Sequence, residues 1–297
     1  MPTTTRLYAG EDDYALMRGL LLLHVANCDD LHYCTLGDLD WWNAQSGDGP
    51  GSVRHAQLWF AEDGTLIGFV WPRGDSAELV AHPAHLDLFD AMLDWAEDGA
   101  RASDQAYTTF STYDFDKDDD RVARVARHGY RRLDDCFRYR QRPLGGDLPA
   151  PPIPAGFSVR NLGGEEDLER RVAVHRAAFH PSRMTVEKHR AVMASPTYRR
   201  ELDLVVVAPD DSFAAYCIVW FDEVNRIGVF EPVGTHPDYQ RRGLGKVVLA
   251  EGLRRLRDLG AERAFVISLG RGVAANALYE SVGFRFIDET HAWEKAL

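Results

Sequence analysis

Cysteine is scarce in this chain of 297 residues, which carries four: Cys28, Cys34, Cys136 and Cys217. They are scattered, and none lies in a Cys-x-x-Cys or Cys/His arrangement of the kind that binds zinc. Isolated thiols are typical of proteins in reducing surroundings. The sequence therefore predicts free cysteines, a cytoplasmic location and no metal centre.

Positive charge is also in deficit, because 34 Lys and Arg residues stand against 46 Asp and Glu residues, for a formal net charge of -12. Nucleic acids and anionic membrane surfaces favour clustered Lys and Arg, so the composition argues against both as partners. The start of the chain has no basic-then-apolar signal segment, and the apolar stretch that opens at residues 20–23 is far too short to span a bilayer. An acidic surface is compatible with an amine substrate.

What the chain does contain is an internal repeat. Three pairs of similar segments occur in the same order, and the members of each pair lie 154 residues apart. One spacing shared by three matches predicts two copies of one fold, with insertions and deletions that cancel in between. The pairs are Arg6–Asp13 with Arg160–Asp167, Ala81–Pro83 with Thr235–Pro237, and His128–Tyr130 with Val282–Phe284.

A stretch rich in proline and glycine, residues 143–156, separates the two copies. This composition continues neither a helix nor a strand interior, so it predicts a semi-rigid linker. The sequence thus predicts two domains of ordinary length, residues 1–142 and residues 157–297.

The second copy contains a strand, a glycine-rich turn and a helix in succession. The apolar run Val229–Thr235 predicts the strand, and apolar residues at helical spacing beyond Gly245 predict the helix. The turn between them reads Gln-Arg-Arg-Gly-Leu-Gly over residues 240–245. Its glycines let backbone amides approach a ligand and point together, and its arginines add charge, which predicts a pyrophosphate site. The alternative is a glycine-rich turn with solvated arginines.

The matching connection in the first copy, residues 82–89, contains neither glycine nor arginine. A loop without these residues offers no converging amides and no outer cations for a phosphate. The first copy is therefore predicted to be degenerate.

The glycine-rich turn resembles the acyl-CoA signature, Q/R-x-x-G-x-G/A, of the GNAT superfamily of N-acetyltransferases. A second segment, Ala275–Phe284, resembles the A-x-x-L-Y-x-x-x-G-F segment of that superfamily. The resemblance implies an α/β (mixed α+β) fold, with a central twisted sheet flanked by helices and two middle strands that splay apart to admit acetyl-CoA. Two such GNAT-like domains in tandem are similar to the layout of the mycothiol synthases.

The resemblance also implies which residues hold acetyl-CoA. Backbone groups of Val233 and Thr235 would bind the pantetheine arm, and the Val233 N–H would face the thioester carbonyl. Many family members carry an Asn seven positions before the signature Tyr, where this chain has Gly272, so Asn276 or Arg271 is the candidate to replace it. The pyrophosphate is assigned to Gln240, Arg241, Arg242, Gly243, Leu244, Gly245 and Lys246.

Two residues are the predicted catalytic groups. Tyr279 matches the signature Tyr, which in family members can protonate the departing CoA thiolate, and a phenol with a pKa near ~10 suits that role; the alternative is a core aromatic. Glu231 lies on the same strand face as the proposed oxyanion donor and is the predicted general base, directly or through water. The alternative for Glu231 is a structural ion pair with Arg226 or Arg285. Pro232 beside it predicts a bulge where the strands part.

The predicted activity is transfer of an acetyl group from acetyl-CoA directly to a primary amine of a small molecule or peptide, catalysed by the second copy. The alternative is a non-catalytic acyl-CoA-binding sensor or partner-binding module. A monomer or a homodimer is expected.

Overall fold

Two units divide the chain in the computed structural model, which describes residues 3–28, 30–49 and 51–297. The first unit comprises Met1–Arg138 together with Asp288–Leu297, and the second comprises Tyr139–Ile287. The predicted linker, residues 143–156, lies inside the second unit, and residues 144–157 form neither helix nor strand. Sequence composition places the boundary in this linker, whereas the contacts place it within two strands that each pass from one unit to the other.

The first unit contains four helices and five complete strands within the described residues. None of the helices in the described part of the chain is both long enough and apolar enough to cross a membrane. The strands are β1 (Thr4–Leu7), β2 (Gln57–Phe60), β3 (Leu66–Pro72), β4 (Ala77–Ala81) and β5 (Thr109–Phe115), and the helices are α1 (Glu11–Asn27), α2 (Leu36–Ser46), α3 (Phe89–Arg101) and α4 (Asp119–Arg127).

The second unit repeats this order of elements, and two further strands cross the unit boundary. The crossing strands are β6 (Arg131–Pro143) and β12 (Arg285–Ala296). The strands of the second unit are β7 (Ser158–Asn161), β8 (Asp203–Val207), β9 (Phe213–Asp222), β10 (Ile227–Thr235) and β11 (Arg263–Leu269), and its helices are α5 (Leu168–Ala178), α6 (Val186–Met193), α7 (Leu244–Asp258) and α8 (Val273–Ser281).

The predicted repeat is confirmed by the bounds of the elements. Strand β5 and helix α4 begin and end 154 residues before β11 and α8. The two copies also share an ion pair at their first turn: Asp13 accepts hydrogen bonds from Arg6, and Asp167 accepts them from Arg160. The same residues recur at the same places because each copy closes its first strand onto its first helix in the same way.

Each unit is built on β-sheet. The first unit contains a four-stranded sheet in the order β1-β2-β3-β4 and a second set in the order β5-β12-β6. In the second unit the order is β6-β11-β10-β9-β8-β7, with β10 parallel to β11 and antiparallel to β9. The sheet is therefore mixed and carries helices, as the predicted α/β fold requires.

Strands β10 and β11 pair only over the first part of their length. Their register runs from Ile227 opposite Arg263 to Phe230 opposite Val266 and is not continued beyond that point in the described chain. On its other edge, β10 shifts register against β9 between Phe230 and Val233, which is a bulge at Glu231 and Pro232. Proline cannot donate to a ladder, so the predicted bulge at Pro232 lies where β10 leaves β11.

Candidate active site

A cleft of about 710 Å³ lies in the second unit where β10 and β11 part. Its walls come from the end of β10, the start of α7, one face of α8 and the last residues of α5 and its C-cap. The cleft is lined by Ala178, Phe179, Val233, Gly234, Thr235, Tyr239, Gln240, Arg241, Gly243, Leu244, Gly245, Lys246, Ala274, Ala275, Ala277, Leu278, Tyr279 and Ser281.

The glycine-rich turn presents a row of backbone amides at one end of this cleft. Helix α7 begins at Leu244, and its first internal hydrogen bond to the turn runs from the Lys246 amide to the Gly243 carbonyl. In the described part of the chain, none of the five amides from Arg241 to Gly245 donates a hydrogen bond. Consecutive unpaired amides at a helix N-terminus bind anions, because the N–H groups and the helix dipole act together.

Two different requirements explain the two glycines of the turn. Gly243 has φ +80°, in the left-handed region that favours glycine, and it precedes α7 as its N-cap. Gly245 instead provides room: a Cβ atom there would lie 2.9 Å from Leu278 Cδ2 on α8 and 3.5 Å from the Thr235 hydroxyl. The first glycine therefore shapes the turn, and the second lets α8 and β10 approach the helix start.

The charged side chains of the turn divide into two groups. Arg241 and Lys246 line the cleft. Arg242 points elsewhere, since its Nη2 donates to the Asp238 carbonyl at 3.4 Å and its guanidinium lies 5.4 Å from the centre of the Tyr239 ring. Only two of the three predicted cations thus face the cavity.

Strand β10 forms the floor of the cleft. Val233, Gly234 and Thr235 pair with β9 through one edge of the strand. The opposite edge is the one that faced β11 before the strands parted, so it borders the cleft. An extended chain can add to such an edge by strand-like hydrogen bonds.

Tyr279 lies on α8, is 6% exposed and borders the cleft. Its ring packs edge-on against Phe284 at 6.1 Å. Burial raises the pKa of the Tyr279 phenol, the negative charge of Glu231 raises it further, and the buried cation of Arg140 opposes this. The phenol therefore stays protonated at neutral pH and is a proton donor, not an acceptor.

Glu231 occupies the bulge that opens the cleft. It is partly buried, its backbone carbonyl accepts a 2.7 Å hydrogen bond from the Trp220 indole, and its charge acts on Tyr279. The suggested structural partner Arg226 instead pairs with Glu262 at 2.7 Å. The charge of Glu231 is thus close enough to raise the pKa of the Tyr279 phenol. Glu231 is not, however, among the residues that line the cleft.

Asn276 does not border the cleft, unlike most of the predicted cofactor residues. Its side chain accepts a 2.7 Å hydrogen bond from Ser268 and donates one of 3.2 Å to the Gly270 carbonyl, so it ties α8 to the end of β11. Arg140, from β6, joins this buried network through Ser268 and Glu280. Sequence analysis missed Arg140 because it was counted with the first domain, 1–142.

The far wall of the cleft was also missed. Ala178 and Phe179, at the end of α5, border the cavity. The Phe179 ring stacks on His175 at 5.1 Å, and His175 Nδ1 lies 2.6 Å from the Tyr216 hydroxyl. Burial lowers the pKa of His175 to about 3, so the ring is neutral and supports Phe179 as a packing group. The only sequence signal was the apolar end of the helix.

The first unit has a side chain where the second has a cleft. By the 154-residue spacing, Arg121 of α4 corresponds to the cleft-lining Ala275, and Leu79 of β4 corresponds to Val233. The Arg121 guanidinium donates to the Leu79 carbonyl at 3.1 Å, pairs with Asp114, and lies 3.8 Å from the centre of the Tyr33 ring. The strand edge that is open in the second unit is thus occupied by the chain itself in the first.

Comparison with known proteins agrees with this geometry. A model of the acetyltransferase (GNAT) family matches residues 171–284. A mycothiol acetyltransferase of Kineococcus radiotolerans is 31% identical over 249 residues, which is 80% of this chain and 79% of the relative.

Two solved structures share the fold. A tandem GNAT protein from the clavulanic acid biosynthesis pathway has a TM-score of 0.71 at 17% identity, over 99% of this chain and 98% of that one. A GCN5-related N-acetyltransferase from Sphaerobacter thermophilus has a TM-score of 0.70 at 19% identity, over 99% of this chain and 95% of that one.

Enzymes of this family are acyltransferases with acetyl-CoA as the acyl donor. The unpaired amides, the cations and the open strand edge of the cleft suit that donor. The chain belongs to the acetyltransferase (GNAT) family.

Proposed function

We propose that the second unit transfers an acetyl group from acetyl-CoA to a primary amine of a small molecule. One observation carries the proposal: the turn with its unpaired amides and the buried phenol of Tyr279 border the same cleft, whose floor is strand β10. A binding module would need the turn but would not need a protonated phenol beside an acidic residue.

Acetyl-CoA, when bound, supplies a thioester whose carbonyl carbon is open to attack by an amine. In the proposed mechanism the Val233 amide stabilises negative charge on the carbonyl oxygen. Glu231 takes a proton from the acceptor nitrogen, directly or through water, as that nitrogen attacks the carbonyl carbon in its neutral amine form. Tyr279 gives its proton to the sulfur as the carbon–sulfur bond breaks, and regains one from solvent. The proton transfers are thus assigned to Glu231 and Tyr279, and the charge stabilisation to the Val233 amide.

The remaining assignments concern donor binding. The amides from Arg241 to Gly245, with Arg241 and Lys246, are proposed to hold the pyrophosphate, and Gln240 and the edge of β10 to hold the pantetheine arm. Arg242 and Asn276 are proposed to support this arrangement indirectly, because their side chains bond to Asp238 and to the end of β11.

Catalysis is assigned to the second unit because the matching place in the first is filled. Arg121 is half-buried, and it is held by the Asp114 carboxylate, the Leu79 carbonyl and the faces of the Tyr33 and Phe89 rings. Moving Arg121 away to open a cleft there would leave the buried Asp114 carboxylate without its cation, which costs about 3–5 kcal/mol. We therefore expect one acetyl-CoA to bind per chain.

The acceptor is proposed to be an amine related to that of the relatives. The related proteins are named mycothiol acetyltransferases, so mycothiol that lacks its acetyl group is the first acceptor to test. The formal charge of -12 is compatible with a cationic amine.

The test measures release of CoA from acetyl-CoA with a thiol reagent, against deacetylated mycothiol, aminoglycosides, polyamines and peptides. The thiol of the acceptor is blocked beforehand so that only CoA reacts, and mass spectrometry locates the acetyl group on nitrogen. Release that requires one amine class supports the proposal and names the acceptor. Tight acetyl-CoA binding with no release on any amine would favour the sensor alternative, and no binding at all would refute the donor assignment.

A further inference from the structure

A second cluster of reactive side chains lies in the first unit, away from the residues that line the cleft. Cys136 of β6 and Glu289 and His291 of β12 each offer one donor atom, and these sulfur, oxygen and nitrogen atoms all lie within 4.8 Å of one another. Cys136 and Glu289 are half-buried, and His291 is buried. Three different ligand types from adjacent strands thus converge on one point.

The donor set suits a borderline metal ion. Thiolate, imidazole and carboxylate are the three ligand types of tetrahedral zinc sites, with bonds of about 2.0–2.3 Å. Ligands around one such ion are separated by about 3–4 Å, so a contraction of roughly 1 Å would bring these atoms into place. Oxygen-only ions such as Mg²⁺ would not favour the sulfur.

The imidazole is already oriented for this role. Asp116, which follows β5, places Oδ1 2.9 Å from Nδ1 of His291. In the tautomer with hydrogen on Nδ1, this carboxylate accepts the Nδ1–H and Nε2 is the nitrogen that can bind a metal; Nε2 lies 3.7 Å from Glu289 Oε2. Histidines that bind metals are held in this way by a carboxylate on the second nitrogen.

Two arginines neutralise these groups in the metal-free chain. Arg132 Nη2 lies 2.9 Å from His291 Nδ1, 3.0 Å from its Nε2 and 3.1 Å from Asp116, and Arg138 donates to Glu289 at 2.7 Å. Their side chains are 44% and 40% exposed, so both can turn to solvent. A metal ion would compete with them, and Arg132 is the more direct competitor because its guanidinium contacts the imidazole itself.

We propose that Cys136, Glu289 and His291 form a Zn²⁺ site with one coordination position left for water. On binding, the Cys136 thiol loses its proton to solvent and its sulfur bonds to the metal. Local sequence patterns cannot reveal such a site, since Cys136 and His291 are far apart in the chain and meet only because β6 and β12 are neighbours.

The test uses the full chain after treatment with a chelator, titrated with Co²⁺ as the spectroscopic probe. We expect one Co²⁺ per chain, a thiolate-to-cobalt charge-transfer band, tetrahedral d–d bands, and displacement of all of them by Zn²⁺. Cys136→Ser should abolish the charge-transfer band, and His291→Gln should weaken binding at least about tenfold. Cys28→Ser, which changes another half-buried cysteine, should leave the titration unchanged.

Arg132→Gln gives a prediction in the opposite direction. Removal of the competing cation should tighten Co²⁺ binding by about two- to fivefold, since the ion no longer displaces an ion pair. Unchanged far-UV circular dichroism and thermal denaturation confirm that each variant is folded, and acetyl-CoA binding should also be unchanged because none of these residues borders the cleft. A wild-type chain without the charge-transfer band, or a band that survives Cys136→Ser, would overturn the proposal.

Discussion

Two neighbouring arginines of the turn, Arg241 and Arg242, differ in where their side chains point. Only Arg241 borders the cleft, whereas Arg242 contacts Asp238 and Tyr239. We expect Arg241→Ala to raise the KM for acetyl-CoA about tenfold, about 1.4 kcal/mol, through loss of a charge-assisted phosphate contact. Arg242→Ala, with the same change of charge, should alter it less than about twofold. Steady-state kinetics at one ionic strength checks both, and equal effects would mean that general charge, not position, binds the donor.

Tyr279 offers a second comparison at the scale of one atom. Tyr279→Phe removes the hydroxyl but keeps the ring against Phe284, so the fold should persist while kcat falls about 10²-fold. Tyr239 also borders the cleft, but its hydroxyl bonds to Asp210 and Ser212. Tyr239→Phe should therefore leave kcat within about twofold of wild type.

The readout for this pair is kcat at saturating acetyl-CoA together with the affinity for acetyl-CoA. A proton donor lost from the reaction lowers kcat and leaves donor affinity nearly unchanged. Equal kcat for Tyr279→Phe and wild type would return Tyr279 to the alternative of a core aromatic.

At the scale of elements, helix α7 approaches the sheet at a glycine. A Cβ atom at Gly252 would lie 2.5 Å from Cε1 of Phe230, which is buried against Phe284 and cannot move aside easily. Gly252→Ala should therefore destabilise the second unit by about 1–3 kcal/mol. Gly99 in α3 of the first unit has open space at its Cβ position, so Gly99→Ala should stabilise by about 0.5–1 kcal/mol.

Urea denaturation followed by circular dichroism distinguishes these two helix substitutions. Both replace glycine by the same residue inside a helix, so helix propensity favours alanine in both. Opposite signs would show that close packing decides the outcome at Gly252. A higher unfolding free energy for Gly252→Ala than for wild type would mean that the Phe230 ring moves aside more easily than its buried position indicates.

For the whole molecule, sequence analysis succeeded where a feature is local. The fold, the repeat and the turn with its helix depend on short segments, and the bulge at Pro232 follows from one missing N–H. It did not find Phe179 or Arg140, which reach their places through tertiary packing, and it assigned Asn276 to the cofactor although the side chain bonds to β11. The last strand shows the same limit, since Asp288–Leu297 follows the second copy in sequence but belongs to the first unit.

One histidine in each unit, the half-buried His24 and the buried His175, makes stability depend on pH. Burial lowers the pKa of His24 to about 4 and that of His175 to about 3, from an ordinary value of 6.5. Below pH 6.5 the unfolded chain binds protons that the native chain does not, so these groups give full stability above that pH and lose it as the pH falls towards about 4 and 3. At about pH 5 the loss is about 2 kcal/mol for each histidine.

His175→Gln tests this, because it removes one titrating group while keeping a polar side chain near Tyr216. The substitution itself costs stability at neutral pH, so the diagnostic quantity is the change in unfolding free energy between about pH 7.5 and about pH 5. That change should be about 2 kcal/mol smaller in the variant than in wild type. An identical pH dependence in His175→Gln and wild type would mean that His175 takes up its proton without unfolding the second unit, for instance by turning towards solvent with Phe179.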